Sequence, residues 1–296
     1  MRVFVTGASG FIGSAVVPEL LAAGHEVVGL ARSDAAAAAL AGAGVQVQRG
    51  SLDHPDSLRA GAAGADGVIH LAFKHDFSDF AGALRSDQGA IAALGEALAG
   101  TGRPLVIASG ILGAAPGRVV TEQDVADPAV NARAGSAAQA LALAGQGVCP
   151  SVVRLSPTVH DLGDPGFIRT LAEVARRQGT SAYIGDGQNR WPAVHRQDAA
   201  RLFRLALEAA LAGAVLHGVA EEGVATRDIA QAIGRHLGLP VVSVAPEDAV
   251  THFGWIGRFF GLDAPASNRW TRETLDWQPT HRSLMDDLEH GDYFRP

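Results

Sequence analysis

Apolar positions along the chain fall into short runs, at residues 3–5, 26–30, 45–48, 67–71, 105–108 and 151–155, separated by helix-length stretches rich in Ala and Leu. Near-continuous apolar strands alternating with helices predict an α/β fold, a doubly wound parallel sheet covered on both faces. The first helix is predicted over 11–23, with Ile12, Val16, Leu20 and Ala23 on one face, Pro18 inside it and Gly24 placed to end it. The alanine run 35–39 reads as an ordinary helix after the second strand. Two long Ala-rich helices are predicted over 80–99 and 129–145, as a partner surface or as buried packing. After Pro157 glycine and aspartate recur, and a helix over 197–211, a strand at 215–219, a helix over 226–237 and a strand at 241–244 follow. The tail then holds Trp255, Phe259, Phe260, Trp270 and Trp277. The expected organisation is a dinucleotide-binding domain over 1–155 to which 188–222 returns. A smaller C-terminal substrate-binding or lid region is expected over 156–187 and 223–296.

The first strand runs into Thr6-Gly-Ala-Ser-Gly-Phe-Ile-Gly13, with glycines at 7, 10 and 13 just before a helix. Gly7 suits a tight turn, Gly10 lets backbone amides approach a pyrophosphate, and Gly13 lets helix and strand pack closely. The helix N-terminus then faces the anion. The second strand ends in Arg32 and Ser33. An acid at that point would hold the 2′-hydroxyl of NAD, whereas an arginine suits the 2′-phosphate of NADP. NADP is therefore the expected cofactor, with Asp34 keeping NAD open as the lesser option.

With 296 residues, 47% of them apolar and 19% charged, the chain can bury a substantial core. Its 24 basic and 31 acidic side chains give a net charge of −7, without a basic cluster to follow a phosphate backbone. Nucleic acid and membrane are not expected partners; a small-molecule substrate is. Cys149 is the only cysteine, so no internal disulfide forms, and no Cys/His spacing suggests a metal. No apolar run approaches about 18 residues, and the chain opens on a buried strand rather than a leader. A cytoplasmic location is the resulting expectation.

Together these residues resemble the extended and atypical short-chain dehydrogenase/reductases, which include the NAD-dependent epimerase/dehydratases. The likeness runs through Thr6 to Gly13, Gly50-Ser-Leu-Asp53, His70-Leu-Ala72 and Ser109. It continues in Arg154-Leu-Ser-Pro-Thr-Val-His160 and Ala193-Val-His-Arg-Gln-Asp-Ala199. The resemblance implies that Thr6, Gly7, Ser9, Gly10, Phe11, Ile12 and Gly13 cradle the diphosphate and that Ser51 and Leu52 border the adenine. It places Leu71, Ala72, Phe73 and Lys74 along the ribose and pyrophosphate, and Ser109, Pro157 and Thr158 toward the nicotinamide. It also implies a homodimer.

The family's Tyr-x-x-x-Lys pair has no counterpart in 131–139, where Arg133 aligns with the tyrosine and Ala137 with the lysine; the only tyrosines are Tyr183 and Tyr293. Hydride transfer belongs to the nicotinamide, so the protein needs only to orient the acceptor and supply a charge or proton. Arg133 is an electrostatic candidate, His160, Lys74 and His75 are proton-donor candidates, and Ser109 is a positioning candidate. Each equally fits a structural role. His195 reads more readily as structural, while Arg190 and Trp191 are candidates to shape the substrate pocket or to anchor a loop. The expected function is an NADPH-dependent oxidoreductase acting on a small carbonyl, enone or imine. Alternatives are a non-catalytic NADP-binding sensor and a nucleotide-sugar epimerase or dehydratase.

Overall fold

The computed structural model describes all residues except 76–78, 116, 130, 291–292 and 295–296. Its first half alternates strand and helix. It comprises β1 (Arg2–Thr6), α1 (Gly13–Ala22), β2 (Glu26–Ala31), α2 (Asp34–Gly42), β3 (Gln46–Arg49), α3 (Pro55–Ala63) and β4 (Gly67–His70). Then come α4 (Phe80–Leu98), β5 (Pro104–Gly110), α5 (Ala134–Ala142) and β6 (Cys149–Leu155). The second half continues with β7 (Thr158–His160), α6 (Phe167–Gln178), β8 (Ser181–Ile184), β9 (Arg190–His195), α7 (Arg196–Ala209) and β10 (Ala214–Gly218). It ends with β11 (Glu221–Ala225), α8 (Thr226–Leu237), β12 (Val241–Val244), α9 (Ala249–Phe253), α10 (Gly257–Phe260), α11 (Arg269–Leu275) and α12 (Leu284–His290).

Seven strands form one parallel sheet in the order β10-β6-β5-β4-β1-β2-β3. The order reverses between β1 and β4, which opens a crevice at their C-terminal ends. Val3, Val5 and Ile69 face α1 and α7 in one core, while Phe4, Val68 and Ile107 face α3, α4 and α5 in another. Burial on both faces is why these strands read as continuous apolar runs. A separate core under α6, α8 and α12 gathers Trp191, Phe253, Phe260 and Leu288 behind a three-stranded sheet, β11-β9-β7, and a β12-β8 pair.

The parallel-sheet expectation holds, and Gly24 ends the first helical segment with φ +81°. Elsewhere the bounds differ. The helix predicted over 129–145 begins only at Ala134 and gives way to a 3₁₀ turn at Leu143–Gln146; residue 130 lies outside the described residues. Asn131 explains the late start, because its Oδ1 accepts the Arg133 amide and its Nδ2 donates to the Gly110 carbonyl, a local arrangement that competes with helix. Within 188–222, α7 and β10 join the large layer, whereas β9 pairs with β7 and β11. The tail divides as well. Trp277 is fully buried in the α1/α7 core, donating from Nε1 to the Asp198 carbonyl, while the Asp198 carboxylate accepts from the backbone amides of Thr280 and His281. Among the described residues no helix is long and apolar enough to cross a membrane, and no group of three or more His, Cys, Asp or Glu is arranged for a metal ion.

Asp164, buried in the second core, accepts from the Gly166 amide at 2.6 Å and from the Tyr293 hydroxyl at 3.1 Å. Burial outweighs these bonds and pushes its carboxyl from an ordinary 3.8 up to about 6. A folded pKa raised above the unfolded one contributes stability that is full below the unfolded value and lost as pH rises through the folded one. Asp164→Asn lacks that dependence, so between roughly pH 4 and pH 8 the variant should gain on the native chain by about 2 kcal/mol. Denaturant titrations across that range check this; a pH-independent difference contradicts it.

Candidate functional site

At the crevice, β1 hands over to the glycine turn. Gly7 sits at φ +72°, and a Cβ there would lie 2.7 Å from the Ala72 nitrogen; one at Gly13 would lie 2.0 Å from the Gly7 carbonyl oxygen. These two glycines are fixed by close backbone approach. A Cβ at Gly10 would meet only the Gly7 oxygen, at 3.2 Å, and otherwise project into open space, with Ser9 and Gly10 exposed. Helix α1 starts without a side-chain cap; the Gly10, Ser14 and Ala15 amides donate to the Gly7, Gly10 and Ile12 carbonyls, which leaves those of Phe11, Ile12 and Gly13 for an incoming acceptor. Thr6 is buried and turned away from that space: its hydroxyl lies 2.7 Å from His70 Nδ1 and accepts the Ala72 amide at 3.3 Å. His70 Nε2 in turn lies 3.3 Å from Asp87 Oδ1 on α4. The self-consistent assignment has Thr6 donating to His70 and His70 donating to Asp87.

At the end of the crevice where the adenine is expected, Arg32 is exposed at the close of β2, while the Ser33 hydroxyl caps α2 by accepting the Ala36 amide. Arg49, which the sequence reading missed, ends the neighbouring strand in register with Ala31. It donates to the Ser33 carbonyl at 2.7 Å and to Asp34 at 2.6 Å. Asp34, the acid that kept NAD open, is thus engaged by a cation. Parallel pairing of β2 with β3 brings the two arginines together across residues distant in sequence. Ser51 is occupied locally, accepting the Asp53 amide and lying 3.0 Å from His54 Nδ1, and Leu52 packs on the core beneath it. Asp53, rather than Ser51, presents a carboxylate, which accepts from Lys74 Nζ at 2.6 Å. Lys74, the only lysine in the chain, therefore bridges to the adenine-side loop.

Farther along, Leu71 and Ala72 follow β4, and the Phe73 ring carries the Arg133 guanidinium 4.2 Å from its centroid. Arg133 precedes α5, donates to the Ala108 carbonyl at 2.8 Å and lies 3.8 Å from Asp87. Its cation is committed, which makes it a brace for Phe73. The His75 ring meets Phe73 edge-on at 5.4 Å. Burial, followed by the Arg133 charge, lowers the His75 pKa. Ala137, at the lysine's place, is packed in the core, and both tyrosines lie in the second half of the chain.

Other expected residues face inward. Ser109 is buried in register with Arg154 and lines a cavity of 670 Å³ that also touches Asn131, Ala134 and Trp270. Pro157 is half-buried, and the Thr158 hydroxyl donates to the Pro192 carbonyl at 2.6 Å, so it ties β7 to β9. His160 is fully buried with Nδ1 2.7 Å from Asp287. His195 caps α7 by accepting the Gln197 amide at Nδ1, as its structural reading expects. Arg190 is held by Asp263 and Trp191 is fully buried, so both anchor the loop.

Residues 3–102 match the family model described as the NAD dependent epimerase/dehydratase family. Over 297 residues the chain is 49% identical to the uncharacterized protein C2A9.02 of Schizosaccharomyces pombe, covering 99% of this chain and 100% of that one. It is 30% identical to a 2-alkyl-3-oxoalkanoate reductase of Stenotrophomonas maltophilia, across 74% of this chain and 69% of the other. In fold it superposes on DesIV, a dTDP-glucose 4,6-dehydratase of Streptomyces venezuelae solved with NAD and TYD bound. The TM-score is 0.78 at 23% identity, covering 100% of this chain and 97% of the other. Sequence, sheet order and glycine turn agree: the chain belongs to the NAD-dependent epimerase/dehydratase family.

Proposed function

We propose that this chain binds NADP(H) and acts as an oxidoreductase that reduces a small carbonyl, enone or imine. The observation that carries the reading is the open space over Gly10, bounded by two glycines that cannot be replaced and by the uncapped start of α1. Such a cradle fits a diphosphate through backbone amides. The NAD bound to DesIV, a protein of the same fold, supports a dinucleotide, and the name of the S. maltophilia relative supports a carbonyl acceptor. Arg32 and Arg49 at the β2 exit, with Asp34 ion-paired to Arg49, support the 2′-phosphate form.

When bound, the nicotinamide supplies the hydride. The protein's part falls to the residues around Phe73. We assign proton exchange with the substrate atom that gains charge to His75, whose ring is oriented by a hydrogen bond to the Phe73 backbone and whose pKa is lowered, while Arg133 adds positive potential behind the Phe73 ring. A second reading, a dinucleotide-dependent sensor, is favoured by one observation: α5 carries neither tyrosine nor lysine. It predicts affinity without turnover. An NAD-dependent sugar epimerase or dehydratase fits the paired arginines less well.

Loss of NADPH absorbance over a panel of ketones, enones and imines separates the first two readings. Gly10→Val should abolish saturable NADPH binding while leaving the melting temperature close to native, because only the cradle is filled. Retained affinity contradicts the diphosphate assignment. Arg32→Ala and Arg49→Ala should each weaken NADP⁺ by about tenfold and spare NAD⁺, the loss of one charge-assisted bond to phosphate. Equal weakening of both cofactors removes the NADP preference. His75→Ala should lower kcat by about 100-fold with little change in NADPH affinity; unchanged turnover excludes His75 as the donor.

A further inference from the structure

Arg196 stands in Ala193-Val-His-Arg-Gln-Asp-Ala199 where the resembling family pattern has valine, and it opens α7 directly after β9. Its side chain reaches back to the glycine turn. The guanidinium carbon lies 4.7 Å over the Phe11 ring, and Nη1 is 3.5 Å from both the Phe11 carbonyl oxygen and the Ser14 hydroxyl. Those contacts lie at the outer limit of hydrogen bonding, so the Nη1 edge is poorly satisfied. The other edge is firmly held: Nε and Nη2 donate to Asp161 Oδ2 at 3.0 and 2.8 Å. Asp161 therefore fixes the plane of the fork and leaves its remaining donors beside the entrance of α1.

We propose that Arg196 is a cofactor-binding residue whose Nη1 edge takes the diphosphate of the dinucleotide, with Asp161 as the residue that positions it. The inference rests on the dinucleotide reading above. An arginine suits the task because a planar fork can serve a carboxylate on one edge and a phosphate on the other. Arg196 and Asp161 follow β9 and β7 of the small sheet, whereas Phe11 and Ser14 belong to the first βα unit. Binding would thereby engage the start of α7 together with the first βα unit, and it would do so for NADP and NAD alike, unlike Arg32 and Arg49.

Calorimetric titration of the full chain with NADP⁺, NAD⁺ and ADP-ribose tests this. Arg196→Gln should weaken all three by a similar factor, about tenfold, with part of the affinity kept in Arg196→Lys. Affinities left at the native level, or a loss confined to NADP⁺, overturn the inference while the dinucleotide reading stands. A native chain with no affinity for any of the three overturns both. Should Arg196→Gln fail to fold, phenylglyoxal modification of the native chain mapped by mass spectrometry decides the matter. Protection of Arg196 by ADP-ribose supports the contact, and undiminished modification overturns it.

Discussion

Two backbones meet at the mouth of the large sheet more closely than any side chain allows. Gly7 packs against the Leu71–Ala72 backbone and Gly13 against the Gly7 carbonyl. This contact aims α1 at the crevice between β1 and β4 and fixes how the exit of β4 passes the turn. Beneath it, the Thr6, His70 and Asp87 chain of hydrogen bonds locks the same junction with buried polar groups that have specific partners. Buried polar groups are costly unless paired, so a shift in either loop would expose that cost. The open space over Gly10 is a by-product of this packing, since Gly10 is the one glycine of the three at which a Cβ would meet a single atom, the Gly7 oxygen.

Much of this was legible in the sequence because it is local. The strand, turn and helix from Arg2 to Ala22 are specified by residues within a few positions of one another, and the parallel sheet by apolar runs that tolerate burial on both faces. Arg49 was not legible, since its meeting with Asp34 depends on which strand pairs with β2. The orientation of Thr158 and His160 was equally hidden. Their motif resembles one that lines a site, but hydroxyl and imidazole turn to Pro192 and Asp287, partners that tertiary structure alone supplies. The late start of α5 was missed because helix propensity favoured alanine, whereas Asn131 satisfies the backbone in another way.

Around Arg133 the chain lacks the Tyr-x-x-x-Lys pattern it otherwise resembles, and the residues there pack on one another. In place of a tyrosine and a lysine, the space before α5 holds an arginine braced by Asp87, the Ala108 carbonyl and the face of Phe73. A fixed cation there raises the potential without giving up a proton. Burial and then the same cation lower the pKa of the neighbouring His75. At the other end of the crevice the Lys74–Asp53 pair spans the loops that follow β4 and β3.

The burial of Trp277 beside α1 and α7 has a consequence for cooperativity. The core of the first βα units is completed by α7, β10 and a side chain from the segment that follows α11. Without that segment the same face lacks part of its cover, and the Asp198 carboxylate loses the amides of Thr280 and His281. Segments far apart in sequence therefore share one core, so loosening residues 277–281 weakens the packing of α1 and α7 as well.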